Sequence, residues 1–432
     1  MTPVAQGKKI VIIGGGIIGA SAAYYLCKKG YSPILLEKGE PAGEQSGRNW
    51  GFVRQQGRDP AEVPLMMRSQ ELWAGLESEL GENIEWCQGG NLLLTNDAHE
   101  LKLYQNWTNI AGSHGLDSKV VNQSELADLI PRIEQAFLGG LYTASDGQAD
   151  PEKATNAFCN AAERLGAKIF RNRPALGVEI QNGKVCGVRT AGGTLEADYV
   201  VCAAGAWASK FLHPLGLRLP QQRIRGSVAQ TTVCEKTTDI GVWAPGVAFR
   251  QRRDGSFSIA AGNGYEVDFT LGSLRGSKHF LKSFMANRKY FDIRFGAALW
   301  KDFGGLAKNF VTGDDPVGLR RVVAPTPNSA RLARALKNFK AMLPSLGNVE
   351  LQRSWAGYID ITPDALPVID ALKKPDGLVV ATGFSGHGFG LGPSAGKAVA
   401  ELIADGKSPI DLSDFTYARF PNNTYPEPFQ LV

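Results

Sequence analysis

Val11-Ile12-Ile13-Gly14-Gly15-Gly16-Ile17-Ile18-Gly19 follows a short apolar run and opens a helical pattern. Glycines at 14, 16 and 19 permit a tight turn, a close backbone approach to a pyrophosphate, and packing of helix on strand. After the amphipathic stretch Ala20 to Lys29 and the turn at Gly30, a second strand Ile34-Leu35-Leu36 ends in Glu37. An acid about 20 residues past the glycines is placed to bind ribose hydroxyls. The spacing alone is a weak signal, but strand, glycines, helix, strand and acid in order predict a dinucleotide site.

The far C-terminus bears on which dinucleotide. Gly377-Leu378-Val379-Val380-Ala381 runs into Thr382-Gly383-Phe384-Ser385-Gly386-His387-Gly388-Phe389-Gly390-Leu391-Gly392-Pro393, and Ser394 to Ala404 reads as a helix with Pro393 in its first turn. A helix start offers unpaired N–H groups and the positive end of a dipole. Reduced flavin carries negative charge around N1 and the C2 carbonyl and gains from such a terminus, whereas reduced nicotinamide is neutral.

Between these ends, Leu195 to Val201 is a strand that breaks at Cys202-Ala203-Ala204-Gly205-Ala206-Trp207. With the segment Gly43-Glu44-Gln45-Ser46-Gly47-Arg48-Asn49, the run Thr362-Pro363-Asp364-Ala365-Leu366-Pro367 and the Gly383 to Gly388 stretch, the chain resembles the FAD-dependent amine and amino-acid oxidoreductases of the D-amino-acid-oxidase (DAO) type. That family includes sarcosine oxidase, glycine oxidase and bacterial amino-acid deaminases, and the resemblance covers nearly the whole chain. It implies FAD, held by Gly14, Gly16, Ile17, Ile18, Gly19, Glu37, Lys38, Gln45, Ser46, Gly47, Arg48, Asn49, Trp50, Gly51, Ala175, Ala204, Gly205, Trp207, Gly383, Gly386, His387, Gly388, Phe389 and Gly390. Sarcosine oxidases attach flavin through a Cys shortly before Thr-Pro-Asp. Gly357 aligns there, so FAD is expected to be non-covalent.

The family's chemistry moves a hydride from the carbon bearing nitrogen to flavin N5, and the imine hydrolyses to a carbonyl compound. The protein then has to orient the substrate, admit a neutral amine and exclude water. A substrate carboxylate calls for an Arg fork on a rigid strand. Arg250 is the expected anchor, in a Phe-Arg setting like that of the bacterial deaminases, with Arg223 and Arg225 as rivals. The carboxylate-binding Lys of sarcosine oxidase is replaced by Gly390, which shifts that duty to an Arg. The Lys that activates oxygen there aligns near Ser258, so the acceptor is oxygen or a quinone. His387 lies in a run shared with sarcosine oxidases and is expected beside the flavin ring as a hydrogen-bonding or proton-transfer group. Gln55 and Gln56 are weaker substrate contacts, and Trp355 and Tyr358 are expected to wall the cavity.

The expected activity is oxidation of a free amino acid or an N-substituted one to its imine. The similarity of Ala42 to Arg48 to membrane-bound L-amino-acid deaminases tilts the reading to the L series. The rivals are a D-amino-acid dehydrogenase, an opine- or sarcosine-type secondary-amine oxidase and, from another class, a flavin-free scaffold on a dinucleotide fold.

These groups need an α/β (α+β) frame. Because the nucleotide motifs occupy the start, middle and end, the Rossmann-like FAD domain must be discontinuous, from residues 1–55, 145–215 and 350–432. Residues 56–144 and 216–349 are expected to form a substrate domain on a twisted, mostly antiparallel sheet. Val247 to Arg252 and Ser256 to Ile259 read as strands around an Asp254-Gly255 hairpin. Helical patterns fall around 277–291 and 328–339. At 432 residues and 43% hydrophobic content, the chain can build two cores. A net charge of +5 with no basic and aromatic stripe argues against nucleic acid. The six cysteines show no metal or redox spacing and read as buried free thiols, and no metal is expected. The glycine-interrupted run 10–23 is too short for a membrane span, and the first strand follows so closely on Met1 that a cytoplasmic protein is expected.

Overall fold

A computed structural model describes residues 7–262, 265–268, 279–280, 291–294 and 321–429. The first sheet runs in the order Val368–Ala371, Leu378–Thr382, Tyr199–Cys202, Ile10–Ile13, Ile34–Leu36, Lys168–Phe170. All its neighbours are parallel except the antiparallel edge strand Val368–Ala371. Its central strands are continuous apolar runs because both faces are covered. Ile10 and Ile12 enter one core with the helices Ile17–Lys28 and Pro151–Arg164, while Val11 and Ile13 enter a second core under the Lys184–Glu196 hairpin.

The second sheet has ten strands among the described residues and is mostly antiparallel. Val247–Gln251 and Phe257–Ala260 pair as expected around the Asp254-Gly255 turn, where Gly255 has φ +84°. The helix Ser329–Met342, capped by Asn328, lays Leu332, Ala335 and Phe339 on this sheet, with the Phe339 ring 4.9 Å from that of Phe257. Most of the helix expected over 277–291 lies outside the described residues.

Two expected boundaries move. The helix Val63–Leu80 buries Leu65, Met66, Trp73, Leu76 and Leu80 in the same core as the first helix, so it packs with the nucleotide-binding layer. The strand Leu351–Ile361 pairs along Gln222–Thr231 in the second sheet, which places the crossover back to the first sheet after Ile361 rather than at 350.

Pro393 is not in a first turn. The last long helix is Gly388–Asp405, with Pro393 inside it. Glycines that read as loop are its packing face. A Cβ at Gly392 would meet Ile17 Cγ1 at 2.4 Å, so close contact with the first helix outweighs low helix propensity. Carbonyls near the proline find other donors. Gly390 O accepts from Ser69 Oγ at 2.6 Å and Trp73 Nε1 at 2.9 Å, and Gly392 O accepts from Ser21 Oγ at 2.9 Å.

Candidate active site

A cleft runs between the two sheets. At one end the strand Ile10–Ile13 stops at Gly14, whose φ of +105° is open to glycine; a Cβ there would lie 2.4 Å from the Ala203 carbonyl oxygen. Gly19 lets the first helix settle on the turn, since its Cβ would strike Gly14 O at 2.0 Å. Gly16 opens the helix N-terminus to the cleft, with Ser46 Oγ opposite accepting the Ile17 N–H at 2.8 Å. This surface suits a pyrophosphate: a helix start with no Cβ at positions 14, 15 and 16, and the Ser46 hydroxyl facing it.

Glu37 is buried on the same wall. One oxygen accepts from Gly15 N at 2.7 Å and the other from Gly39 N at 2.8 Å, which leaves lone pairs for a ribose diol. Burial pushes its pKa up, against those two hydrogen bonds. Lys38 sits 2.9 Å from Glu44, which also accepts from Trp207 Nε1 at 2.6 Å, and Arg48 donates to Val323 O at 2.8 Å. Ala175, Ala204, Gly205, Gln45, Asn49, Trp50, Gly51, Ile17 and Ile18 complete this expected set on the wall. Gly19, Gly47, Gly383 and Gly390 lie behind it as close-approach positions. The residues present therefore fit FAD. None of the six cysteines lines the cleft, and Gly357 does.

At the other end the last helix begins, and Ser385, Gly386, His387, Gly388 and Phe389 reach the cleft from its N-terminal turn. Trp50, Phe52, Trp243 and Tyr358 make an aromatic wall, with the Trp50 and Trp243 rings 4.7 Å apart. Two cations join it. The Arg54 guanidinium lies 5.3 Å from the Trp243 ring centre. Arg58 is 3% exposed, donates Nε–H to Arg54 O at 3.0 Å, and its Nη1 has no partner among the described residues. Burial pushes the Arg58 pKa down to about 10. His387 Nδ1 is 2.7 Å from Glu62 Oε2, and Glu62 is fully buried. Burial chiefly, with Arg58 and Arg54 nearby, holds the His387 pKa below its ordinary value, while Glu62 opposes the shift.

The residues expected to bind substrate divide. His387 and Tyr358 are on the wall. Arg250 is 2% exposed and sits one backbone layer behind it, donating Nε–H to Trp50 O at 2.5 Å. Arg225 is 3.3 Å from Glu266, and Arg223 stacks 4.7 Å from the Trp207 ring centre; neither lines the cleft. Gln55 donates to Ser145 Oγ at 2.9 Å, and Gln56 bonds Leu141 O at 2.9 Å and Asn91 Nδ2 at 2.7 Å, so both side chains are spent on the sheet. Trp355 donates to Arg48 O at 3.1 Å, off the wall. Sequence reasoning missed Arg54, Arg58, Glu62 and Trp243. The signal for the first three was there: charges four residues apart, directly after a flavin-binding segment.

Among the described residues no helix is long and apolar enough to cross a membrane. Residues 9–402 match the family described as DAO, FAD dependent oxidoreductase. The sarcosine oxidase subunit beta of Rhizobium meliloti is 27% identical over 419 residues, spanning 95% of this chain and 88% of the relative. Glycine oxidase of Bacillus subtilis is 27% identical over 403 residues, spanning 91% and 92%. Among solved structures, L-amino acid deaminase from Proteus myxofaciens, in complex with anthranilate, superposes with a TM-score of 0.90 at 26% identity, covering 97% of this chain and 95% of that one. The glycine cradle, the buried Glu37 and a match over 9–402 make this chain a member of the DAO family of FAD-dependent oxidoreductases.

Proposed function

We propose that this enzyme oxidises the C–N bond of a small free amino acid, with the L enantiomer preferred, to an imine that hydrolyses to a keto acid. One observation carries the reading. The substrate end of the cleft combines two arginines, Arg54 and Arg58, with His387, whose pKa burial holds below its ordinary value, and with aromatic walls. A carboxylate, an amine and a short side chain are what such a surface complements. The L preference rests on the resemblance of Ala42 to Arg48 to L-amino-acid deaminases and on the likeness to the Proteus myxofaciens enzyme.

Bound FAD supplies the two-electron sink, accepting hydride from the α-carbon. The chain's own residues do the rest. Arg58, with Arg54 beside it, takes the carboxylate and fixes which hydrogen faces the flavin. Trp50, Phe52 and Trp243 exclude water and hold the side chain. His387 accepts a hydrogen bond or a proton from the amine. Arg250, placed behind the wall, supports the Trp50 carbonyl instead of meeting substrate. Oxygen or a quinone is the acceptor.

The test is anaerobic bleaching of the flavin by both enantiomers of common amino acids and by N-alkyl derivatives. Bleaching by L-amino acids supports the reading. Bleaching by N-methyl amino acids alone would turn it to a sarcosine-type oxidase, and bleaching by D-amino acids alone to a D-amino-acid dehydrogenase. Repeating the panel with oxygen and then a quinone identifies the acceptor.

A further inference from the structure

We propose that Glu62 is a positioning residue that locks His387 with its proton on Nδ1, so that Nε2 meets the cleft as a proton acceptor for the substrate amine. The inference rests on the amino-acid oxidation proposed above and adds a residue to it.

Glu62 is held rigidly. It lies at the start of the helix Val63–Leu80, its N–H donates to Asp59 O at 2.8 Å, and its carbonyl accepts from Met66 N at 2.9 Å. Its side chain is fully buried, where a carboxylate needs a donor. Arg58, four residues earlier, forms no ion pair with it within 4 Å: Arg58 Nη1 and Glu62 Oε1 are both buried and unpartnered among the described residues. The partner of Glu62 Oε2 is His387 Nδ1, at 2.7 Å.

His387 is fixed from its own side. It is the N-cap of Gly388–Asp405, and its N–H donates to Phe384 O at 2.7 Å. The ionisable groups acting on its ring are Arg58, Arg54 and Glu62. The two arginines, burial and the positive end of the helix disfavour a second proton on the imidazole, and Glu62 alone favours it. A neutral imidazole carries one proton, and a carboxylate at Nδ1 holds it there. Nε2 makes no hydrogen bond to any described residue, and the ring lines the cleft.

That atom is the one the chemistry lacks. An amino acid arrives with its nitrogen as an ammonium, and the C–N bond is oxidised only once that nitrogen has a lone pair. The N–H bond breaks, its proton passes to His387 Nε2, and the imidazolium is stabilised by Glu62. The nitrogen lone pair then forms the C=N bond as the α-hydrogen leaves with two electrons to the flavin, so the substrate is oxidised to its imine and the flavin reduced.

The test has two arms. In holoenzyme carrying ¹⁵N-labelled histidine, with His387 assigned by the loss of its signals in His387→Asn, two-bond ¹⁵N–¹H correlation should show the His387 proton on Nδ1 at pH 7.5. A proton on Nε2 overturns the proposal without any substrate. In the second arm, Glu62→Leu and Glu62→Gln, with flavin content checked, should slow anaerobic flavin reduction by about 10²-fold, in the range of general-base effects. The amino-acid dissociation constant should change less than about threefold. For Glu62→Gln the rising limb of the pH profile should move to lower pH, because the group that favours the protonated imidazole has gone, and Glu62→Asp should recover part of the rate. An unchanged rate and profile would also overturn the proposal. If no amino acid bleaches the wild-type flavin, the proposed activity fails instead, and the tautomer still decides the Glu62–His387 pairing.

Discussion

Arg250 Nε donates to the carbonyl of Trp50 at 2.5 Å, and the Cβ that Gly51 lacks would fall 2.4 Å from the same nitrogen. The guanidinium is thus the backing of the wall whose front face is Trp50. Arg250→Ala is expected to weaken amino acids and their carboxylate-free amines alike and to lower flavin retention, because the Trp50 turn loses its prop. Arg58→Ala should be selective. Removing a buried charged partner costs about 2–5 kcal/mol, roughly 30- to several-thousand-fold in affinity, and only for ligands with a carboxylate. Arg58→Lys should recover only part, since an ammonium does not reproduce the planar fork. Dissociation constants from flavin spectral titration with each amino acid and its decarboxylated amine check both. Selectivity appearing in Arg250→Ala and not in Arg58→Ala would exchange their roles.

Glu37 is tied to the turn as well as to the proposed ribose contact. Glu37→Ala leaves Gly15 N and Gly39 N without their acceptor, about 1–3 kcal/mol for each buried donor. It also removes a charge-assisted ligand contact of about 1.5–3 kcal/mol. Apoprotein stability and FAD affinity should therefore fall together, measured by thermal melts of the apoprotein and by titration with FAD. Full FAD affinity in a destabilised apoprotein would show that Glu37 serves the turn alone.

The nucleotide half was legible because phosphates are read by backbone, and backbone conformation shows in the sequence as glycines at 14, 16 and 19. The substrate half was less so. The strand under Arg250 was visible, but Val247–Gln251 is buried at all five positions, so period and propensity gave no hint of which layer the guanidinium reaches. Gly388, Gly390 and Gly392 resembled a loop because intrinsic propensity says so, whereas contact with the first helix decides otherwise. Glu62 precedes a helix in a charged segment and resembles a solvated side chain. Its place under His387 comes from a fold that brings residues 325 positions apart together.

Asp146 gives stability a pH dependence. It is fully buried, accepts from Gln55 N at 2.6 Å and Gln56 N at 3.2 Å, and burial pushes its pKa up to about 7 despite those bonds. A raised pKa means the folded state holds the proton more tightly than the unfolded chain. The contribution is whole below the ordinary aspartate range near 4 and is lost as pH climbs through about 7. Between those limits stability should fall with a slope approaching about 1.4 kcal/mol per pH unit from this group. In Asp146→Asn that component should vanish. Urea unfolding of both proteins at half-unit steps from pH 4.5 to 7.5 reads the difference, and parallel curves would show that Asp146 is not the group responsible.

The contact between the first and last long helices should tolerate no added methyl. A Cβ at Gly396 would fall 2.1 Å from Ser21 Oγ and 2.6 Å from Ala22 N, and the single Ser21 O–H already has Ile17 O at 2.7 Å and Gly392 O at 2.9 Å as acceptors. The side chain could be trimmed, but the Ala22 backbone has nowhere to go in a core where Ala20, Ala22 and Ala23 are fully buried. Gly396→Ala is expected to cost about 1–3 kcal/mol through overpacking, even though alanine favours a helix over glycine by about 0.8–1.0 kcal/mol. The double variant Ser21→Ala with Gly396→Ala should recover little, because the backbone clash remains. Denaturant midpoints of the two single variants and the double one settle it. A stabilised Gly396→Ala would mean that the helices can separate by a few tenths of an ångström, with propensity outweighing packing at this crossing.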